Sequence, residues 1–164
     1  MLRVHLAAGI DIGGTAINYT LVTASGQFLI DGLCEHPARA KEGPDVCMQQ
    51  VVDGLAIAVR QAGMSPADVR VIGLDTPGPA SAAGVLSARG STNFAHPDWG
   101  GFDLRSGLQQ RVGLPVVYLN DGNAAALWGH VAIFGADSRT TSVSAIVSIA
   151  AFPGRTTAAA ISIS

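Results

Sequence analysis

Residues 113–128 gather the side chains best suited to chemistry. Pro115 precedes a short apolar run, Val116 to Leu119, of strand type. Asn120, Asp121, Gly122 and Asn123 break that run, and the helix former Ala124-Ala125-Ala126-Leu127 follows. The order strand, polar turn, helix delivers polar side chains at the carboxyl end of a buried strand, where open α/β sheets bind their ligands. Asp121 is the residue of this stretch expected to carry chemistry. The same residues suit a plainer duty, because Asn and Asp are preferred helix N-caps. Residue types alone leave both duties open.

Two more stretches carry residues of this kind. In Asp11-Ile12-Gly13-Gly14-Thr15 the glycines let backbone amides approach an anion, and Thr15 adds a hydroxyl donor. Asp11 could hold a metal ion through water. The alternative is an ordinary tight hairpin whose Gly-Gly turn needs positive φ. In Asp75-Thr76-Pro77-Gly78-Pro79, two fixed φ angles flank a glycine that can approach a ligand closely. The long loop after it, Ser81 to Asp98, contains Asn93, His96 and Asp98, all able to bond hydroxyls. His96 reads as a surface loop residue. Trp99 is either a buried anchor or a stacking face for a sugar.

The elements that must position these residues follow from the apolar pattern. Leu6 to Ile12, Ile17 to Val22 and Phe28 to Cys34 read as an antiparallel meander of three strands. Pro44 opens a helix running to about Ala62, with Val46, Val51, Leu55, Ala58, Val59 and Ala62 near helical spacing and Gly63 as its C′ residue. Ser65 to Asp68 is a turn. Val69 to Leu74 is a fourth strand, Asp103 to Val112 a helix with Leu104 and Leu108 inward, and Val116 to Leu119 a fifth strand. Ala124 to Phe134 is a helix and Gly135 to Thr140 a turn. Ser142 to Ile149 begins as a strand, and the Ala-, Ser- and Thr-rich tail to Ser164 either forms a final hairpin or hangs loose.

Composition narrows the function classes. The 164 residues suffice for one domain with a real core. Net charge is −2 and no Lys/Arg run occurs, which argues against nucleic acid or an anionic membrane as partner. Cys34 and Cys47 form neither a metal-spaced cluster nor a disulfide framework, so a reducing cytoplasm is expected. Asp11 interrupts the apolar start too early for a signal peptide, and no apolar run reaches transmembrane length.

Taken in order, the Asp11 to Thr15 motif, Leu74 to Pro79, and Leu114-Pro115-Val116 through Asn120-Asp121-Gly122-Asn123-Ala124 resemble the ROK family (repressors, open reading frames and sugar kinases). The likeness is strongest to its bacterial glucokinases and spans roughly residues 7 to 147. The resemblance implies an α/β, actin-like ATPase (ribonuclease H-like) fold. Residues 1–141 would form its amino-terminal lobe, a five-stranded mixed sheet with the three-strand meander and flanking helices. Residues 142–164 would be the start of a missing second lobe or an aberrant tail. By resemblance, Gly13, Gly14 and Thr15 face the phosphates of ATP, and Asp11 lies near Mg2+. Asp121 becomes the general base, and Gly78, Asn93, Asn120 and Asp121 hold a hexose. A homodimer is the expected assembly.

The pattern also breaks. Ser148-Ile149-Ala150-Ala151 stands where the family has a glycine-rich phosphate turn, and Gly129-His130 replaces its usual acidic residue. The family's zinc ligands, its adenosine pocket and its last helices are missing. The expectation is therefore a truncated, weakly active or inactive hexose kinase with an unrelated ending. The alternatives are a sugar-binding lobe without catalysis and a fragment of a ROK-type transcriptional regulator. The regulator would need a helix-turn-helix before the first strand, and six residues precede Ala7.

Overall fold

A computed structural model describes residues 5–32, 34–77, 80–87, 94–122, 124, 143–151 and 155–163. They fall into two units, Met1–Leu119 and Asn120–Ser164.

The first unit is built on a mixed sheet of five strands. Strand β1 (Leu6–Ile12) pairs antiparallel with β2 (Ala16–Thr23), and β2 with β3 (Cys34–Pro37). On its other side β1 pairs parallel with β4 (Val69–Thr76), and β5 (Val116–Asn120) takes the far edge. The spatial order is β3-β2-β1-β4-β5. Strict alternation sorts the side chains. Leu6, Ala8, Ile10 and Ile12 are buried on one face, and Ala7, Gly9 and Asp11 stand on the other.

Helix α1 (Pro44–Gln61) covers the buried face. It starts with Pro44 at its first turn after Gly43, whose φ is 105°, and Cys47, Met48, Val51, Leu55, Ala58 and Val59 turn inward. It stops at Gly63, whose φ of 67° permits the paired bonds Gly63 N–H to Arg60 O and Met64 N–H to Val59 O. Pro66–Asp68 then forms one 3-10 turn, closed by reciprocal bonds between Ser65 and Asp68. Asp103 caps helix α2 (Leu104–Val112) by accepting from Ser106 N–H at 2.8 Å, and Leu104 and Leu108 are fully buried as expected.

One expectation needs correction, and one open alternative is decided. The third strand does not run from Phe28 to Cys34. That stretch makes one bridge, Val22 to Phe28, and a Leu29 N–H bond to Leu21 O. Gly32 then turns at φ 81° and pairing resumes only at Cys34. Phe28 is 53% exposed. Trp99 is the buried anchor of its two readings. Its ring packs edge-on against Phe94 and Phe102, and its indole N–H donates to Ala40 O at 2.7 Å.

In the second unit Asp121, Gly122 and Ala124 are helical. The rest of the expected Ala124 to Phe134 helix, and the turn after it, lie outside the described residues. Strands β6 (Val143–Ala151) and β7 (Arg155–Ile163) pair antiparallel as a separate hairpin, the first of the two readings of the tail. Among the described residues, no helix is long and apolar enough to cross a membrane.

Candidate active site

The hairpin between β1 and β2 sets the first cluster. The turn centres on Gly14 and Thr15, so Asn18 falls opposite Asp11. Asn18 Nδ2 donates to Asp11 Oδ2 at 3.3 Å and orients the carboxylate. On the other side of β1 the parallel register brings Asp75 of β4 beside Asp11. Asn18, Asp11 and Asp75 thus form one polar row across three strands, on the face turned away from α1.

The turn is not the positive-φ hairpin that its glycines suggest. Gly13 lies outside the left-handed region. It must be glycine for a different reason: a Cβ there would stand 2.8 Å from Ala16 O, and Gly13 N–H donates to that carbonyl. Gly13 therefore serves close approach of the chain, and its amide is engaged within the hairpin. Thr15 is exposed beside it.

The Asp11 site fits a hard divalent cation. It offers a part-exposed carboxylate with one oxygen oriented by an amide, and Mg2+ ordinarily takes one or two carboxylates plus phosphate oxygens. Zinc is a different case. Among the described residues no group of three or more His, Cys, Asp or Glu is placed to hold a metal ion. Cys34 and Cys47 are buried and free, and burial raises both thiol pKa values, that of Cys47 to about 12.

Strand β5 carries the second cluster. Tyr118 points inward, and its hydroxyl meets the Thr76 hydroxyl at 2.8 Å in a buried bond. That bond ties the end of β4, just before Pro77, to β5 two residues before Asn120. Asp121 follows at once. It is exposed, and its Oδ1 accepts the Gly122 amide at 2.7 Å. Gly78 and Asn93 lie outside the described residues. His96 is a part-exposed loop residue whose Nδ1 accepts from Asp98 N–H at 3.3 Å.

The Thr76–Tyr118 pair yields a direct prediction. Tyr118→Phe removes the partner of a hydroxyl whose residue is 0% exposed. The expected loss is about 1–3 kcal/mol, and the double variant Thr76→Val/Tyr118→Phe should recover part of it, because both polar atoms are then gone. Urea unfolding of the three variants checks this; a double variant no more stable than Tyr118→Phe would contradict it.

Sequence reasoning missed Asn18, Asp75 and the Thr76–Tyr118 bond. The first was recoverable, since a hairpin centred between Gly14 and Thr15 sets residue 18 against residue 11. The Asp75 register and the Tyr118 bond depend on which strands lie side by side, which no local pattern states.

A family model described as the ROK family matches residues 7–150. A glucokinase of Streptomyces coelicolor is 35% identical over 126 residues, which is 76% of this chain and 35% of that protein. Among solved structures, the ROK hexokinase of Thermus thermophilus superposes with a TM-score of 0.62 at 31% identity, covering 77% of this chain and 38% of its own. A ROK family glucokinase of Streptomyces griseus, solved with glucose and AMPPNP, gives a TM-score of 0.52 at 31% identity, with coverage of 84% and 39%. The chain thus spans little more than a third of the relatives it matches.

Proposed function

Since the chain belongs to the ROK family and has the actin-like ATPase fold of its sugar kinases, we propose that it is the amino-terminal lobe of a hexose kinase. Phosphate passes from ATP to a sugar hydroxyl, in the cytoplasm. Residues 1–141 form the lobe, and residues 142–164 belong to a second lobe or an aberrant tail. The observation that carries the reading is the strand-end chemistry of one sheet. Its middle strand ends in Asp11 and the glycine turn, and its edge strand β5 leads into the exposed carboxylate of Asp121. The S. griseus glucokinase, with its bound glucose and AMPPNP, supports the assignment of sugar and nucleotide.

Each residue then has a duty. Gly13 lets the hairpin close tightly through its bond to Ala16 O, and Gly14 and Thr15 at the tip offer donors to the phosphates. Asp11, steadied by Asn18, would hold magnesium, which when bound neutralises charge on the phosphate oxygens. Asn120, Asn93 and the Gly78 backbone bond the sugar hydroxyls. Asp121 takes the hydroxyl proton while the sugar oxygen forms its bond to the terminal phosphorus. The bond from that phosphorus to the bridging oxygen breaks, and ADP leaves with its electron pair. No step passes through zinc.

Calorimetry with glucose, in the presence and absence of Mg-AMPPNP, tests the proposal. Nucleotide is expected to tighten glucose binding by about fivefold or more, the scale of ordinary site coupling. Equal glucose affinity with and without nucleotide would favour a sugar-binding lobe without catalysis. Absence of glucose binding at about 10 mM, well above ordinary KM values, would end both readings.

A further inference from the structure

Arg39 is the one non-glycine residue at positive φ among the described residues, with φ 50° and ψ 30°. A glycine takes this conformation without strain, while a residue with a Cβ does so at a cost and does so mostly where function requires it. The residue sits beside the glycine turn. Pro37 pairs with Ala16, and Ala38 N–H donates to Thr15 O at 2.9 Å. The Arg39 Cα is then about 3.8 Å past that of Ala38, the residue bonded to exposed Thr15.

The side chain is half exposed, and among the described residues its partner is Glu42. Its Nε and Nη2 donate to the two carboxylate oxygens of Glu42 at 2.7 and 2.6 Å. The pair is exposed and therefore screened by salt, so a phosphate can compete with Glu42 for the guanidinium. The other carboxylate at the start of α1, Asp45, is engaged by Arg111 at 2.6 Å. The next residue is fixed as well, because Ala40 O accepts the indole N–H of Trp99. A backbone pinned on both sides therefore carries a half-exposed, planar guanidinium fork one residue past the contact with the turn read as the phosphate site. Such a fork matches the oxygens of a phosphate as well as those of a carboxylate.

We propose that Arg39 is an anion-binding residue of the glycine turn, leaving Glu42 when a phosphate chain lies against Gly14 and Thr15. This rests on the nucleotide reading of that turn. The ligand chemistry is a linear phosphate chain, whether of a nucleoside triphosphate or of inorganic polyphosphate.

The 164-residue chain is titrated by calorimetry with sodium tripolyphosphate and with Mg-AMPPNP. Arg39→Ala and Arg39→Gly are expected to weaken binding about tenfold, the loss of a charge-assisted bidentate contact, and Glu42→Gln to tighten it about threefold. Arg39→Gly relieves the backbone, so its melting temperature should not fall. The opposite signs decide the matter, because Arg39→Ala and Glu42→Gln destroy the same ion pair and a purely structural pair would move both alike. Loss with tripolyphosphate alone would support an inorganic chain as the ligand, and loss with both would support the nucleotide. Thr15→Val separates the two levels of the argument. If it weakens binding while Arg39→Ala does not, Arg39 is excluded and the turn keeps its role. If the unmodified chain binds neither probe, both fall.

Discussion

Asparagine in place of Asp121 is expected to cut phosphate transfer to glucose by about 10²–10⁴-fold, the usual contribution of a positioned general base. Glucose affinity should stay within about threefold, since the amide keeps the carboxylate's shape and can still bond a hydroxyl. The asymmetry is the point. A residue that only caps a helix or only holds sugar would change binding or stability and leave the chemical step alone. The carboxylate is exposed and accepts the adjacent Gly122 amide, which an asparagine oxygen can also accept, so the exchange should cost little folding energy. Single-turnover transfer of radiolabelled phosphate at saturating protein measures the step even if turnover is slow. Calorimetry gives the affinity. Transfer within tenfold of the parent would remove Asp121 from the role of base.

How much of this was legible in the sequence differs between site and sheet. Asp11, the glycine turn and the Asn120-Asp121 turn were visible because each joins a strand to a break, and breaks have chemical signatures. Helix α2 was visible for the same reason, with Asp103 as its cap and Leu104 and Leu108 four residues apart on the inner face. The third strand was not. Phe28, Leu29 and Ile30 are the most apolar residues of their region, yet Gly32 turns away and the edge strand is written Cys34-Glu35-His36-Pro37. An edge strand has one partner and little to bury, so polarity conceals it. The conformation of the Gly13 turn failed differently. Glycine was read as a licence for positive φ, while the structure uses it to avoid a carbonyl. Composition cannot distinguish these two uses of a missing Cβ.

Gly54 shows the same use at larger scale and carries the largest expected effect on stability. It lies in the middle of α1, where a glycine ordinarily costs about 0.5–1 kcal/mol against alanine. Propensity alone predicts that Gly54→Ala stabilises. The structure predicts the reverse. A Cβ at residue 54 would stand 2.3 Å from Tyr19 Oη and 2.5 Å from its Cζ. Tyr19 cannot yield easily: it is 4% exposed on β2, and its hydroxyl donates to both Gln50 O and Val51 O on α1, at 3.2 and 3.1 Å. Burial, with the nearby Cys47, Cys34 and Asp53, raises that phenol's pKa, so it remains a donor throughout the ordinary pH range. Gly54→Ala must therefore lift the helix off the sheet or break both bonds, at about 3 kcal/mol, the upper range for overpacking. Tyr19→Ala alone should cost about 3–5 kcal/mol through the cavity it leaves. In the double variant the new methyl enters that cavity and meets no ring. It should be no less stable than Tyr19→Ala, giving a coupling of about 3 kcal/mol where contacting residues show 0.5–3. Urea unfolding of the four proteins closes the cycle. Effects that add to within about 0.5 kcal/mol would mean that helix and sheet do not meet through this pair, and the seat of α1 on β2 would have to lie elsewhere.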